Sequence, residues 1–310
     1  MSLNDLKLAF YVSELGDSNG SLDDLENRWL ALQTGSTGAT TDLWMEFLSE
    51  YEGSIGDRLY AYLGDLAYTG SLVDRLYTAY ADQALVQGLS IQPVAYWNLD
   101  EASGNRADSI GSLTLQDNAS VLSADGVGAG QTAAAFVAAN SEYLSHADNA
   151  ILRIGNRSWT MVGFLWSDSI AAGNKVFIAK GGSGAGGEWD LRVATASVQM
   201  FVRNAANDAQ AAVTLGTITA NSFNYIEFGF NATTGRLFGR LNNGSESTAA
   251  LAGGTNASTN EFRMGRSSST SYVDGRLQAF GIFHGLLTDD DRGYLYNGGT
   301  AARLAVGGVV

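Results

Sequence analysis

From Pro93 onward, short apolar runs alternate with clusters of Gly, Asn, Ser and Thr, and this beat constrains the fold more than any other feature of the chain. The runs are "SWTMVGFLW", "KVFIAK", "EWDLRVAT", "SVQMFVR", "FNYIEFGFN", "GRLFGRL", "EFRMG" and "DGRLQAFGIFHG". Strands of this length, evenly spaced with turn residues between them, build an antiparallel sandwich or barrel. Side chains change face at every residue of a strand. In "FNYIEFGFN", Tyr225 and Glu227 therefore share one face, while Ile226, Phe228 and Phe230 share the other. That pattern predicts one buried and one exposed face. "TDDDRGYLYNGG" reads as a short closing helix, capped by Thr288, with Asp289 to Asp291 at its positive end and Gly298 just past its stop.

Before Pro93, the only proline, the period changes to helical. Gly20, Gly38, Gly53 and Gly70 each open a similar phrase: "GSLDDLENRWL", "GATTDLWMEFL", "GSIGDRLYAYL" and "GSLVDRLYTAY". Asp24, Asp42, Asp57 and Asp74 each fall four residues after the glycine. Ser21, Ser54 and Ser71 stand as N-caps, and the Asp three places on can reach back to the cap's own N–H. Helices this short are marginal alone, so they must bury their apolar stripes against one another or against a partner. Trp29, Trp44, Phe47, Tyr60, Tyr62, Tyr77 and Tyr80 are more aromatics than so small a bundle usually needs. The reading is a docking segment over residues 1–92, a β domain over 93–305 and a tail at 306–310, with Trp29, Trp44, Phe47, Tyr60 and Tyr77 as docking residues.

Charge limits the partners. The formal net charge is −14, and residues 1–92 hold 14 acidic and 4 basic side chains. Nucleic-acid backbone binding needs a basic face, which this chain lacks. No apolar run approaches the roughly 20 residues that span a bilayer, so membrane insertion is not expected. The start, "MSLNDLKLAF", lacks the basic opening and cleavage site of a signal peptide, which predicts synthesis in a cytoplasm. The absence of cysteine excludes disulfides, thiolate metal sites and cysteine nucleophiles.

The collinear phrases "AYWNLDEASGNRADSIGSLTL", "AAAFVAANSEYLSHADNAILRIGNRSWTMVGFLW", "KVFIAKGG", "NYIEFGFNATTGRLFGRLNNG" and "FRMGRSSSTSYVDGRLQAFGIFHGLLTDDDRGYLYNGG" resemble laminin-G-like, concanavalin-A-like jelly rolls over roughly residues 93–300. The Gly-Ser-x-x-Asp-Arg-Leu-Tyr repeats resemble those of bacteriophage structural proteins. Together they imply a virion protein made in a host bacterial cytoplasm. It would be fixed to capsid or tail proteins by its helices and would present a jelly roll to host glycans or proteins. Capsid cement and a glycan-cleaving enzyme of the same fold superfamily are the competing readings. The apolar end "ARLAVGGVV" adds a homo-oligomer, a trimer by analogy with fibres.

The resemblance also implies candidate residues. Asp100 and Asp108, in "DEASGNRAD", match positions near a structural calcium in relatives, which would need about six oxygen ligands. Turn-stabilising carboxylates are the alternative. Phe136-Val137-Ala138 and Gln278-Ala279 stand where relatives tend to read Phe-Asp-Gly and Asp-Glu. No cofactor is required on this reading, with calcium as an optional ion. Glycan contact needs an exposed ring and polar company, which makes Trp166, Asn174, Trp189 and Asp190 the candidates; Trp97, Trp159 and Phe164 read as core. Glu188 and Asp190 would lie about 7 Å apart on a strand, but Arg192 fills the next position of that face, which favours an ion pair over an acid–base pair. His146 and His284 are isolated, as loop or strand-end residues would be. "KGGSGAGGEW" lacks a phosphate-cradling ending and reads as a flexible loop.

Overall fold

The computed structural model describes Glu26 and residues 89–171, 173–181, 186–267, 272–305 and 308–309. The helical phrases, with Trp29, Trp44, Phe47, Tyr60 and Tyr77, lie outside the described residues, as does the centre of the glycine loop at 182–185. Residues 89–304 form an antiparallel β sandwich, as the spacing of the apolar runs predicts. Its strands are β1 (Pro93–Trp97), β2 (Gln116–Asn118), β3 (Leu122–Asp125), β4 (Thr132–Phe136), β5 (Tyr143–His146), β6 (Trp159–Ser167), β7 (Asn174–Lys180) and β8 (Trp189–Ala194). The remainder are β9 (Ser197–Arg203), β10 (Gln210–Thr217), β11 (Phe223–Asn231), β12 (Arg236–Leu241), β13 (Ser247–Ala250), β14 (Phe262–Met264) and β15 (Gly275–Phe283), followed by helix α1 (Asp289–Tyr296). The first sheet runs β13-β12-β11-β6-β15-β4-β3 with β1 also on β15; the second runs β10-β9-β8-β7-β14-β5-β2.

The inner faces meet in a ring-rich core, because apolar side chains recur at every second position of the long strands. Trp97, Trp159, Phe228 and Phe280 come from the first sheet, and Trp189 and Phe262 from the second, all 1 % exposed or less. Trp97 stacks on Phe262 at 5.4 Å, and Trp189 lies 6.0 Å from both Phe262 and Phe228. These contacts clamp one sheet to the other.

The outer face of β11 departs from expectation. Tyr225 and Glu227 face away from the sandwich core, yet they are 1 % and 0 % exposed. Helix α1 covers them: the ring of Tyr296 sits 5.4 Å from Tyr225, and Arg292 Nε donates to Glu227 Oε1 at 2.8 Å. A third layer therefore buries the second face, and Phe164 is core of that layer, its ring 5.2 Å from Tyr225. The helix starts as the sequence predicts: Thr288 accepts from Asp291 N, Asp291 accepts from Thr288 N, and Asn297 closes the other end with a left-handed φ of 44°.

Close approach explains two glycines. A Cβ on Gly229 would stand 2.5 Å from Phe238 Cζ, and one on Gly281 would stand 2.6 Å from Tyr96 Cδ2. Both rings pass close over the backbone of the first sheet. A bulge between Gln278 and Gly281, with Ala279 at φ 53°, lets β15 pair with β4 before it and with β1 after it.

Candidate functional site

Register, rather than sequence proximity, builds the site. On the outer face of the first sheet, Phe223, Trp166, Arg276, Ala135 and Leu122 stand directly opposite one another across β11, β6, β15, β4 and β3. Four strand spacings of about 4.8 Å give a strip about 19 Å long. The next row along the same strands, Tyr225, Phe164 and Gln278, is buried under α1 and the 126–131 loop. An eight-residue helix is only about 12 Å long, so it leaves the strip uncovered. Leu122 is 57 % exposed, and the other four are half-buried.

The strip is pre-organised. Trp166 Nε1 donates to Asp168 Oδ1 at 2.7 Å, and Phe223 meets the indole edge-to-face at 5.2 Å. The Arg276 guanidinium lies 4.6 Å from the Trp166 ring centre and donates to Asp125 O at 2.8 Å. With the guanidinium over one part of the indole and Nε1 held by Asp168, the remaining exposed ring surface can meet an apolar sugar face while Arg276 donates to its hydroxyl or acidic groups. Trp166 was legible as a candidate from sequence. Phe223, Arg276 and Leu122 were not, because only strand register brings them beside it.

The other glycan candidates fall elsewhere. Trp189 offers no stacking face, since it is 0 % exposed between the sheets; its place on the inward phase of β8 dictates this. Asp190 points outward from the second sheet but is 2 % exposed, clamped by Arg192 Nε at 2.7 Å and Nη2 at 2.6 Å. Arg192 in turn lies 3.9 Å over the Phe201 ring. This is the ion pair the sequence predicts, more deeply buried than a surface pair. Asn174 is exposed at the start of β7, also in the second sheet.

Asp100 and Asp108 do not converge on a shared ion. Asp108 is 8 % exposed and accepts from the backbone N–H of Tyr96 at 3.0 Å, Ile110 at 3.3 Å and Leu113 at 3.2 Å. Burial raises its carboxyl above the ordinary range, against the pull of those N–H groups. Asp100 pairs with Arg303. Between them lies Arg106, fully buried, whose guanidinium donates to Gly104 O and to Val121 O at 2.9 Å and sits 3.7 Å from Glu101. Burial lowers its pKa while Glu101, Asp117 and Asp100 pull it back up. These oxygens already face N–H donors and a guanidinium, so the donor set does not fit calcium. Gln278 accepts from Val127 N at 2.8 Å and donates to Gln131 Oε1 at 2.7 Å, holding a loop. Among the described residues no group of three acidic or histidine side chains is placed to hold a metal.

Glu188 is closed off from solvent. It is 0 % exposed, accepts from Ile154 N at 2.6 Å and from Ser258 N at 3.0 Å, and lies 3.7 Å from the buried Lys180 ammonium. Lys180 donates further to Asp148 at 2.9 Å and to the carbonyls of Ser258 at 2.9 Å and Asn260 at 2.6 Å. Burial pushes the Glu188 carboxyl up to about 6. The cluster staples three loops together. His146 ends β5, and His284 follows β15, where burial and then Arg157 lower its pKa.

No family model and no curated protein matches the chain by sequence. Solved structures match by fold. The binding domain of Paraclostridial Mosquitocidal Protein 1 aligns at TM-score 0.56 with 11 % identity, over 66 % of this chain and 52 % of that one. The botulinum neurotoxin serotype G binding domain aligns at 0.53 with 11 % identity, over 68 % and 53 %. The binding domain of botulinum neurotoxin DC in complex with SialylT aligns at 0.50 with 10 % identity, over 66 % and 51 %. The chain thus spans about half the length of these toxin domains. The likeness shows a jelly-roll-like β sandwich.

Proposed function

We propose that the β domain is a non-enzymatic, metal-independent module that contacts glycans or glycosylated proteins through the Trp166 strip. The observation that carries this reading is the open row Phe223–Trp166–Arg276 beside a covered row of the same sheet. Toxin binding domains of the same fold, one of them in complex with SialylT, support it. The burial of Glu188 and its three-loop staple argue against the glycan-cleaving alternative, which needs a carboxylate open to substrate. The finer reading is a bacteriophage virion surface protein whose residues 1–92 dock on capsid or tail proteins. It rests on the repeated capped phrases and on their acidity.

The test is an oligosaccharide array probed with the full chain, together with Trp166→Ala and Arg276→Ala. Selective binding of some glycans, reduced at least about tenfold by either change, is expected. A chain that binds nothing on the array yet still attaches to particles is cement, and that outcome overturns the glycan reading.

A further inference from the structure

The outer face of the first sheet has a second opening, beyond the other side of α1. From Phe223 in the strip to Asn231 along β11 is eight residues, about 26 Å, with Tyr225 and Glu227 covered by the helix in between. There the chain forms a groove of about 190 Å³ lined by Arg236, Glu246, Thr248, Leu286 and Arg292, with Phe238, the most buried of the set at 5 % exposed, as its floor. The floor is deliberate in the steric sense: Phe238 lies over Gly229, where any Cβ would collide with it.

The polar groups around this floor are complementary to hydroxyls. Arg236 donates through Nε at 3.1 Å and Nη2 at 2.8 Å to Thr248 Oγ1, which fixes the guanidinium while Nη1 makes no hydrogen bond among the described residues. Thr248 Oγ1 accepts in those bonds, which leaves its own O–H as a donor. Glu246 Oε2 accepts from Arg240 Nη2 at 2.9 Å, leaving Oε1 as an acceptor on the rim. Leu286, 39 % exposed, adds an apolar surface next to the ring. The volume lies below the roughly 300–1,000 Å³ of pockets that hold drug-sized ligands. Donors and acceptors around a small apolar floor match one pyranose ring, whose axial C–H face is apolar and whose edge is hydroxylated.

We propose that this groove is a second saccharide subsite that takes a single pyranose ring, its hydroxyls held between Arg236 and Glu246 and its apolar face on Phe238 and Leu286. The inference rests on the glycan-contact reading and deepens it: a glycan that occupies both openings has to be branched or to cross the helix.

Saturation-transfer NMR on the full chain, titrated with glucose, galactose, mannose, N-acetylglucosamine and glucuronate against an inositol control, tests it. At least one sugar is expected to saturate in the millimolar range, the affinity of a few hydrogen bonds and one ring contact. Arg236→Ala should weaken it about tenfold or more, and Leu286→Ser should weaken it severalfold. Both positions are exposed, so fold loss is not expected. Trp166→Ala should leave this titration within about twofold. No saturation below about 100 mM with any of the sugars, or saturation that both groove variants leave unchanged, overturns the subsite. A silent groove with array binding that depends on Trp166 refutes the subsite alone. A responsive groove with an empty array refutes the strip alone.

Discussion

Arg106 is a fully buried cation that ties the 100–121 loop together, and removing it has a calculable cost. Arg106→Met keeps most of the buried stem but deletes the guanidinium. Val121 O, buried and 2.9 Å from Nη2, then loses its donor, which costs about 1–3 kcal/mol. Gly104 O also loses a charged donor, but it is nearer water and regains part of the loss. Glu101, with 31 % of its side chain exposed, can rehydrate, so the lost pairing adds about 1 kcal/mol or less. The total is about 3 kcal/mol, or roughly 6–12 °C in Tm for a domain of this size. Urea titration followed by far-ultraviolet circular dichroism, with an unchanged m-value, measures it. Arg106→Lys, which keeps the charge with a smaller reach, should fall between. Millimolar calcium or chelator should leave the wild-type Tm within about 1 °C, since an ion at one hundred times its Kd would add about 2.7 kcal/mol. A variant within about 0.5 kcal/mol of wild type, or a wild type that calcium stabilises by several degrees, refutes the reasoning.

Two further predictions concern buried carboxylates. Glu188 titrates near 6 in the folded chain and near 4.5 when free, so the folded state holds its proton more tightly. Its contribution to stability is greatest below pH 4.5 and is lost as pH rises through 6, by about 2 kcal/mol. Wild type should therefore lose about that much relative to Glu188→Gln between pH 4 and 7.5 in paired urea titrations; a pH-independent difference contradicts this. Arg292→Leu leaves Glu227 fully buried, with Arg240 3.9 Å away as its remaining cation. It should cost about 3–5 kcal/mol and speed hydrogen exchange across 289–296, whereas unchanged exchange there would show that the pair does not hold the helix.

The long strands were legible because short apolar runs are set off by clusters of Gly, Asn, Ser and Thr: β6, β7, β8, β9, β11, β12, β14 and β15 all coincide with runs read from sequence. β10 was missed, since "QAAVTLGT" offers only Val213 and Leu215 as bulky inward residues. β2 and β13 are short and polar, and pairing rather than propensity makes them strands. The burial of Tyr225 and Glu227 was hidden because a covering helix leaves no mark on the strand it covers. Glu227 alternates along the strand as a solvent-facing acid would, and its partner Arg292 lies 65 residues away in sequence. The candidate site divides in the same way. Trp166 could be named from composition and place, but the partners that make it a surface stand opposite it only once five strands are in register.

The rings that lie over Gly229 and Gly281 give the sandwich a one-way tolerance to change. A smaller residue at Phe238 or Tyr96 leaves a void, which proteins often survive; a methyl group on either glycine meets a ring already in place. Drift at Gly281 therefore has an order, with Tyr96 shrinking before the backbone site can gain a side chain. At Gly229 no such order is open, because a Cβ there would also stand within van der Waals overlap of Trp159 O, a backbone atom that a smaller residue at 238 leaves in place, so the sheet itself keeps the glycine beneath the groove.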